Sequence, residues 1–210
     1  TMQAAGNSLS FMKNVICDGL SMIAEKNNIS VYDLINKEIE SSKIGANGLI
    51  FLPYLLGERS PRWNPNARGA FIGLKMEHSK ADMLRATVEG ILMNLDIILG
   101  IFKKDADIKV MNIIGGMAQG ASIRQILADI YGIKVNKLNY LEEATSMGAA
   151  VAAGVGTGVL KDFSEIHRFI QVDEEIIPNM DNHIQYKPIK KVFENSYNAL
   201  LEIYDQLAEL

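Results

Sequence analysis

The segment Asn112–Ile130, NIIGGMAQGASIRQILADI, joins a short apolar run to a helical pattern through two adjacent glycines. This order predicts a strand, a tight turn and a helix, which is the unit of layered α/β folds. Adjacent glycines cost conformational entropy, so they suit places where the backbone turns sharply or where another group lies against it. Neither the G-x-G-x-x-G nor the Walker motif is present. The pattern leaves open a tight connection or a ligand-binding turn at a helix N-terminus.

Hydrophobic periodicity extends this alternation to both sides of the segment. One amphipathic helix is predicted from Leu9 to Ile23, and a short second helix follows Ser30. From residue 48 onward the predicted order is strand, strand, helix, strand, helix, strand, helix. The predicted strands are 49–52, 69–74, 108–114 and 133–138, and the helices occupy 79–102, 123–131 and 144–158, with a last helix after 188. The alternation favours an α/β domain with a layered sheet.

Helix starts and breaks are predicted from local chemistry. Ser79 and Asp82 have the spacing of a capping box, and Ser122 is predicted to cap the helix Ile123–Tyr131. Pro188 is predicted to begin the last helix, since proline fits a first helical turn. The segment GERSPRWNPNAR, residues 57–68, is predicted to be a loop because prolines and asparagines interrupt it.

The composition restricts the class of protein. The 210 residues carry 25 acidic and 21 basic side chains, a balance that argues against a nucleic-acid partner. Cys17 is the single cysteine, so we expect a buried structural thiol and a reducing, cytoplasmic environment. No apolar run approaches the length of a membrane span, and no signal sequence opens the chain, so no membrane association is expected. The three histidines lack metal-ligand spacing, and no metal site is expected in this chain.

Several motifs together resemble the FGGY carbohydrate kinases. The stretch GAFIGLKMEHSKADMLRATVEG, residues 69–90, is similar to the C-terminal signature of that family. The matching positions are Gly69, Phe71, Gly73, Leu74, Asp82, Met83, Ala86, Thr87, Val88 and Glu89. PYLLGERSPRWNPNARG resembles the preceding segment of the xylulokinase and gluconate kinase branches. IGGMAQGASIRQILADI and EATSMGAAVAAG resemble the adenine-binding stretch and its following helix, and AAGNSL resembles the xylulokinase interdomain segment.

The resemblance implies an actin-like, ribonuclease-H-like ATPase fold with a mixed sheet flanked by helices. Residues 1–210 would form the C-terminal domain, and the N-terminal sugar-binding domain, with the catalytic base, would lie outside this chain. The implied reaction transfers the γ-phosphate of ATP, with Mg²⁺, to a sugar hydroxyl, most simply that of D-xylulose. Gluconate kinase is the alternative within the family. A non-catalytic actin-like module that binds nucleotide is the alternative from another class.

The resemblance also assigns site residues. Gly115 and Gly116 match the glycine pair whose backbone lies against ADP, and Gln119 and Gly120 match the region facing the adenine. Met117 departs from the third glycine of many xylulokinases. No catalytic residue and no metal ligand is assigned in this chain, which alone is expected to be inactive. Its expected partners are ATP or ADP, the sugar and the N-terminal domain of the same enzyme, and a homodimer is left open.

Four other features receive structural interpretations. Glu58 and Arg59 are interpreted as a surface pair or a contact to the first domain, with a position facing the cleft as the alternative. Glu89 is expected to be a hydrogen-bonded packing residue. Trp63 is expected to anchor its own loop rather than to stack on a ligand. Four glycines are expected to allow close packing of the small-residue helix on the sheet: Gly148, Gly154, Gly156 and Gly158.

Overall fold

The computed structural model describes residues 2–210. Eight helices and five strands occur among these residues. The helices are α1 (Ala5–Ile16), α2 (Asp18–Asn27), α3 (Val31–Ser41), α4 (Lys80–Phe102), α5 (Ala121–Tyr131), α6 (Ala144–Gly156), α7 (Met180–Ala199) and α8 (Leu201–Ala208). The strands are β1 (Ile50–Leu52), β2 (Ala70–Ile72), β3 (Val110–Ile113), β4 (Lys134–Leu138) and β5 (Val172–Ile176).

The strands form two separate sheets. β1 and β2 pair as an antiparallel ribbon in which Phe51 lies opposite Phe71. β3, β4 and β5 form a mixed sheet in that order, with β3 parallel and β5 antiparallel to the central strand β4. The parallel pair β3–β4 is connected through α5, as a crossover between parallel strands requires. The predicted α/β organisation is therefore confirmed.

Helix α4 forms the centre of the core. Its capping box is present as predicted: the Ser79 side chain accepts from the Asp82 amide, and the Asp82 carboxylate accepts from the Ser79 amide. Fifteen of its 23 residues are buried, because α1, α3, α5, α7 and β1 all pack around it. A Cβ on Gly90 would lie 2.1 Å from the Phe51 carbonyl oxygen, so β1 crosses the helix where no side chain fits.

Two helix starts differ from the prediction. The first helix is divided at the fully buried Cys17, which separates α1 from α2. The cysteine is buried as expected, and burial raises the pKa of its thiol. Pro188 does not begin a helix but lies inside α7, which starts after Asn179. The Asn179 carboxamide accepts from the amides of Asp181 and Asn182, and this cap defines the start of the helix instead.

Strand β5 was not predicted, and its composition explains why. Four of its five residues are exposed, so the strand has little apolar periodicity. It is held at the edge of the sheet by backbone pairing with β4 and by ion pairs to lysines of that strand. Lys134 contacts Glu175 at 2.7 Å and Lys137 contacts Asp173 at 3.7 Å. Such edge strands are marked by charge rather than by hydrophobicity.

Helix α6 contradicts the interpretation of its glycines. A Cβ at Gly148 or Gly156 would meet no atom of the described residues within 4 Å, so neither position is needed for close packing. Gly154 is the exception, because a Cβ there would lie 2.8 Å from the Leu160 side chain. The helix packs mainly on the 3₁₀ segment Phe163–Arg168 rather than on the sheet, and most of its small residues are exposed.

Candidate functional site

The segment from Gly115 to Gly120 forms the turn between β3 and α5. Gly115 has φ +87° and ψ 173°, a backbone conformation that essentially only glycine adopts. Its amide donates to the Leu141 carbonyl at 2.8 Å, which fixes the exit of the strand. A single 3₁₀ turn, Gly116–Gln119, follows, and Gly120 precedes the first residue of α5. Gly115 is therefore required by the backbone itself.

Gly116 has no such requirement within the described residues. Its φ lies outside the left-handed region, and its backbone is exposed. A Cβ added to Gly115 or to Gly116 would meet nothing within 4 Å, in contrast to the crowded Gly90. The glycine pair is thus not a site of close packing between parts of this chain. The space beside Gly116 is therefore not filled by the described residues.

Arg124 holds this turn in place, and sequence reasoning did not identify it. Its guanidinium donates to the carbonyls of Ala118 at 2.7 Å and Gln119 at 2.8 Å. It also pairs with Glu174 of β5 at 2.5 Å, and the residue is only 6% exposed. The sequence signal that could have identified Arg124 is an arginine in the first turn of a helix that follows a glycine turn. The bonds to both carbonyls orient the backbone of the 3₁₀ turn before any ligand binds.

The N-terminus of α5 is built differently from the prediction. Gly120 rather than Ser122 is the N-cap residue, and no side chain caps the helix. Ser122 instead donates its hydroxyl to Glu40 of α3 at 2.5 Å, which joins the two helices. The exposed Gln119 donates its amide to Glu142 at 2.7 Å. Gly120 is buried, and a Cβ on it would lie 2.6 Å from the Asn36 side-chain oxygen.

A groove of about 830 Å³ opens beside this turn but does not contain the predicted residues. It lies between α3, α5 and α7, and Ala121 and Ser122 are at its edge. Gly115, Gly116, Gln119 and Gly120 are absent from its lining, which includes three carboxylates. These are Glu40, Asp129 and Glu174. Two cationic side chains, Lys43 and Arg85, line it as well, so the groove has mixed charge and lies apart from the predicted nucleotide residues.

Glu58 is not the surface residue that the sequence suggested. It is 4% exposed, and its carboxylate accepts from the amides of Gln3 and Arg59 and from the Asn94 side chain, each at 2.8 Å. The surface-pair interpretation is therefore wrong for Glu58, although Arg59 is exposed. The carboxylate connects the loop to α4 and to the segment that enters α1.

Trp63 does not anchor its loop. Its side chain is 73% exposed, and its φ of +50° is uncommon for a bulky residue. The loop is held instead by Asn64, whose carboxamide accepts from the Ala67 amide and donates to the Tyr197 hydroxyl at 3.2 Å. Arg62 lies over the Tyr197 ring with its guanidinium carbon 4.3 Å from the ring centre. The anchoring interactions are thus polar and cation–π.

Glu89 has the surroundings expected of a packing residue. It is 2% exposed and accepts from Arg85 at 2.8 Å, from the Tyr186 hydroxyl at 2.8 Å and from the Gly45 amide at 3.1 Å. Burial raises the pKa of Glu89, and these donors oppose the shift. All of its contacts are internal, so the carboxylate joins α4 to α7 and to the turn before β1.

Across residues 2–210, no group of three or more His, Cys, Asp or Glu side chains is arranged to hold a metal ion. Within the same range, no helix is both long and apolar enough to cross a membrane.

The chain belongs to the FGGY family of carbohydrate kinases, whose C-terminal domain model matches residues 2–157. This domain has the actin-like ATPase fold, in agreement with the mixed sheet flanked by helices. A xylulose kinase of Staphylococcus epidermidis is 38% identical over 202 residues, covering 95% of this chain and 38% of that protein. A gluconokinase of Bacillus licheniformis is 33% identical over 187 residues, covering 88% of this chain and 36% of that protein.

A solved structure supports the same assignment. Ligand-bound xylulose kinase from Lactobacillus acidophilus superimposes with a TM-score of 0.82 at 28% identity, covering 98% of this chain and 40% of that structure. The chain thus spans about two fifths of the length of the relatives that it matches.

Proposed function

We propose that this chain is the nucleotide-binding part of a sugar kinase that transfers the γ-phosphate of ATP to D-xylulose. The observation that carries the proposal is Gly116, a glycine that neither the backbone conformation nor the packing of the chain explains. It lies in a strand–turn–helix unit, where exposed amides favour a nucleotide. The resemblance of both the sequence and the fold to xylulose kinases supports the substrate.

The chain's own residues would bind and orient the nucleotide. The backbone of Gly115 and Gly116 would lie against ADP, and Gln119 and Gly120 would border the adenine. Since Gln119 already donates to Glu142, it would contribute chiefly through its backbone. Arg124 would keep the turn rigid, so little ordering would be needed on binding.

The chemical step needs groups from the rest of the polypeptide. Phosphoryl transfer requires a base that orients the attacking hydroxyl and Mg²⁺ that neutralises the phosphates. No residue of this chain is assigned as that base, and the described residues offer no carboxylate cluster for the metal. We therefore propose that the base and the sugar pocket belong to an N-terminal domain of the same enzyme, and that Mg²⁺ arrives with the nucleotide. The isolated chain would be inactive.

A substrate panel tests this proposal. The natural full-length polypeptide would be assayed by coupled ADP release with xylulose, ribulose, gluconate, glycerol and fuculose at equal concentrations. We expect xylulose to exceed the others by orders of magnitude in kcat/KM, because a site built to hydrogen-bond a hydroxyl rejects analogues that lack it. If gluconate gave the highest kcat/KM, gluconate would be the substrate, and the assignment as a sugar kinase would stand. Nucleotide binding with no turnover on any sugar would support the non-catalytic alternative.

We also propose that the enzyme acts in the cytoplasm, where ATP is available and a free thiol such as Cys17 stays reduced. A homodimer is proposed as its assembly, and sedimentation of the full-length polypeptide tests it. A sedimenting species of monomer mass at micromolar concentration would contradict the dimer.

A further inference from the structure

Asn36 of α3 lies directly against the turn that the nucleotide would contact. Its side-chain oxygen and nitrogen are 2.6 and 2.9 Å from the position that a Cβ on Gly120 would occupy. Asn36 is partly buried, whereas Gly120 is buried. The absence of a side chain at Gly120 therefore allows the Asn36 carboxamide to reach the backbone at the start of α5.

The backbone position of Asn36 is fixed by its own helix. Glu40 lies one helical turn after Asn36 on the same face of α3 and accepts from Ser122 of α5 at 2.5 Å. The bond holds α3 against α5. Asn36 is thus presented to the turn by a rigid element rather than by a loop, which is the arrangement that gives precise recognition.

The carboxamide is also free to bind. Among residues 2–210 its oxygen and nitrogen take part in no side-chain hydrogen bond, whereas the neighbouring polar groups are already engaged. Gln119 donates to Glu142, and Ser122 donates to Glu40. Asn36 therefore retains one acceptor and two donors beside the proposed nucleotide site.

We propose that Asn36 binds the edge of the adenine base and makes the site selective for adenine nucleotides. A carboxamide matches adenine because it accepts from the N6 amino group and donates to an adjacent ring nitrogen. This inference rests on the proposed function, since it requires the base to lie beside Gly120. A carboxylate at position 36 accepts only, so it pairs poorly with adenine and favours the N–H donors of guanine.

Calorimetry on the natural full-length polypeptide tests the inference, with Mg-ADP, Mg-GDP and Mg-IDP as probes. For the unmodified protein we expect ADP to bind at least tenfold tighter than IDP, which lacks the N6 amino group. This comparison of ADP with IDP uses only the unmodified protein, so its result does not depend on whether a variant folds. For Asn36→Asp we expect ADP affinity to fall about tenfold or more, while GDP affinity is retained or rises.

A matched control and a second variant separate recognition from packing. Asn195→Asp makes the same chemical change at an exposed position of α7 and is expected to leave all three affinities unchanged. Asn36→Leu keeps the size without the polar atoms and is expected to abolish the preference for ADP over IDP. Equal binding of ADP and IDP by the unmodified protein, or an unchanged preference in both variants, would overturn the inference while leaving the proposed function intact. Absence of any ADP binding would instead reject the proposed function.

Discussion

Replacing Gly116 by valine separates a ligand-binding glycine from a structural one. A Cβ at this position would meet no atom of the described residues within 4 Å, and φ is not in the left-handed region. The folded chain should accept the substitution with a change in unfolding free energy within about 0.5 kcal/mol. At Gly115, φ of +87° and ψ of 173° make alanine costly, by about 1–3 kcal/mol.

The effect on nucleotide binding should be large by comparison. A ligand atom in van der Waals contact with the Gly116 backbone, about 3.5–4.0 Å away, would overlap a branched side chain. We expect the dissociation constant for Mg-ADP to rise at least tenfold, about 1.4 kcal/mol, in Gly116→Val and less in Gly116→Ala. Calorimetry on the natural full-length polypeptide measures the affinity, and thermal unfolding measures the stability.

Gly100 provides the matched control. It lies near the end of α4, and a Cβ there also meets nothing within 4 Å. Gly100→Val should leave ADP binding unchanged. If Gly116→Val bound ADP as the unmodified protein does, the glycine pair would serve only the turn. If it lost as much stability as Gly115→Ala, the space beside Gly116 would not be open.

Three further predictions concern the core. Gly90→Ala should lower the unfolding free energy by about 1–3 kcal/mol, because its Cβ would lie 2.1 Å from a carbonyl oxygen of β1. Gly100→Ala should raise it by up to about 1 kcal/mol, because its Cβ meets no other atom within 4 Å. Equal melting temperatures of the two variants would contradict this. Glu89→Ala should cost about 3–5 kcal/mol in urea unfolding, since Arg85 would stay buried without its partner, and a loss below about 1 kcal/mol would refute it. Burial raises the pKa of Asp82, but hydrogen bonds from its neighbours outweigh this and lower it to about 2. The stabilisation from its charge is present above the ordinary pKa of 3.8 and lost as pH falls through 2. The difference in unfolding free energy between the unmodified protein and Asp82→Asn should therefore shrink by about 2 kcal/mol from pH 5 to pH 2. A difference that stayed constant would exclude this role.

Features that depend on neighbouring residues in sequence were predicted well. The capping box of Ser79 and Asp82 is present because its two partners are three residues apart and need no other part of the fold. Ser30 likewise accepts from the Tyr32 amide at the start of α3. The alternation of strands and helices from β1 to α6 was correct for the same reason, since hydrophobic periodicity is a local property.

Predictions failed where a distant partner decides the local structure. Ser122 was expected to cap α5, but Glu40 takes its hydroxyl. Pro188 was a different kind of error, because the start of α7 is set by the local cap of Asn179 on the amides of Asp181 and Asn182. Strand β5 has no apolar pattern of its own and is stabilised by its pairing with β4. The outcomes for Ser122 and β5 depend on groups more than 30 residues away in the chain.

The sequence by itself determined the α/β class, the starts of α3 and α4 and the position of a glycine turn after a strand, because each is encoded within a few neighbouring residues. Only the tertiary structure decided at which positions a glycine is structurally required. Gly90 is required because β1 crosses it, Gly115 because of its backbone angles, and Gly116 for neither reason. The tertiary structure also placed Arg124 and Asn36 at the turn. The physical reason is that open space, crowding and free hydrogen-bonding groups arise from segments far apart in the chain, and no local pattern records them.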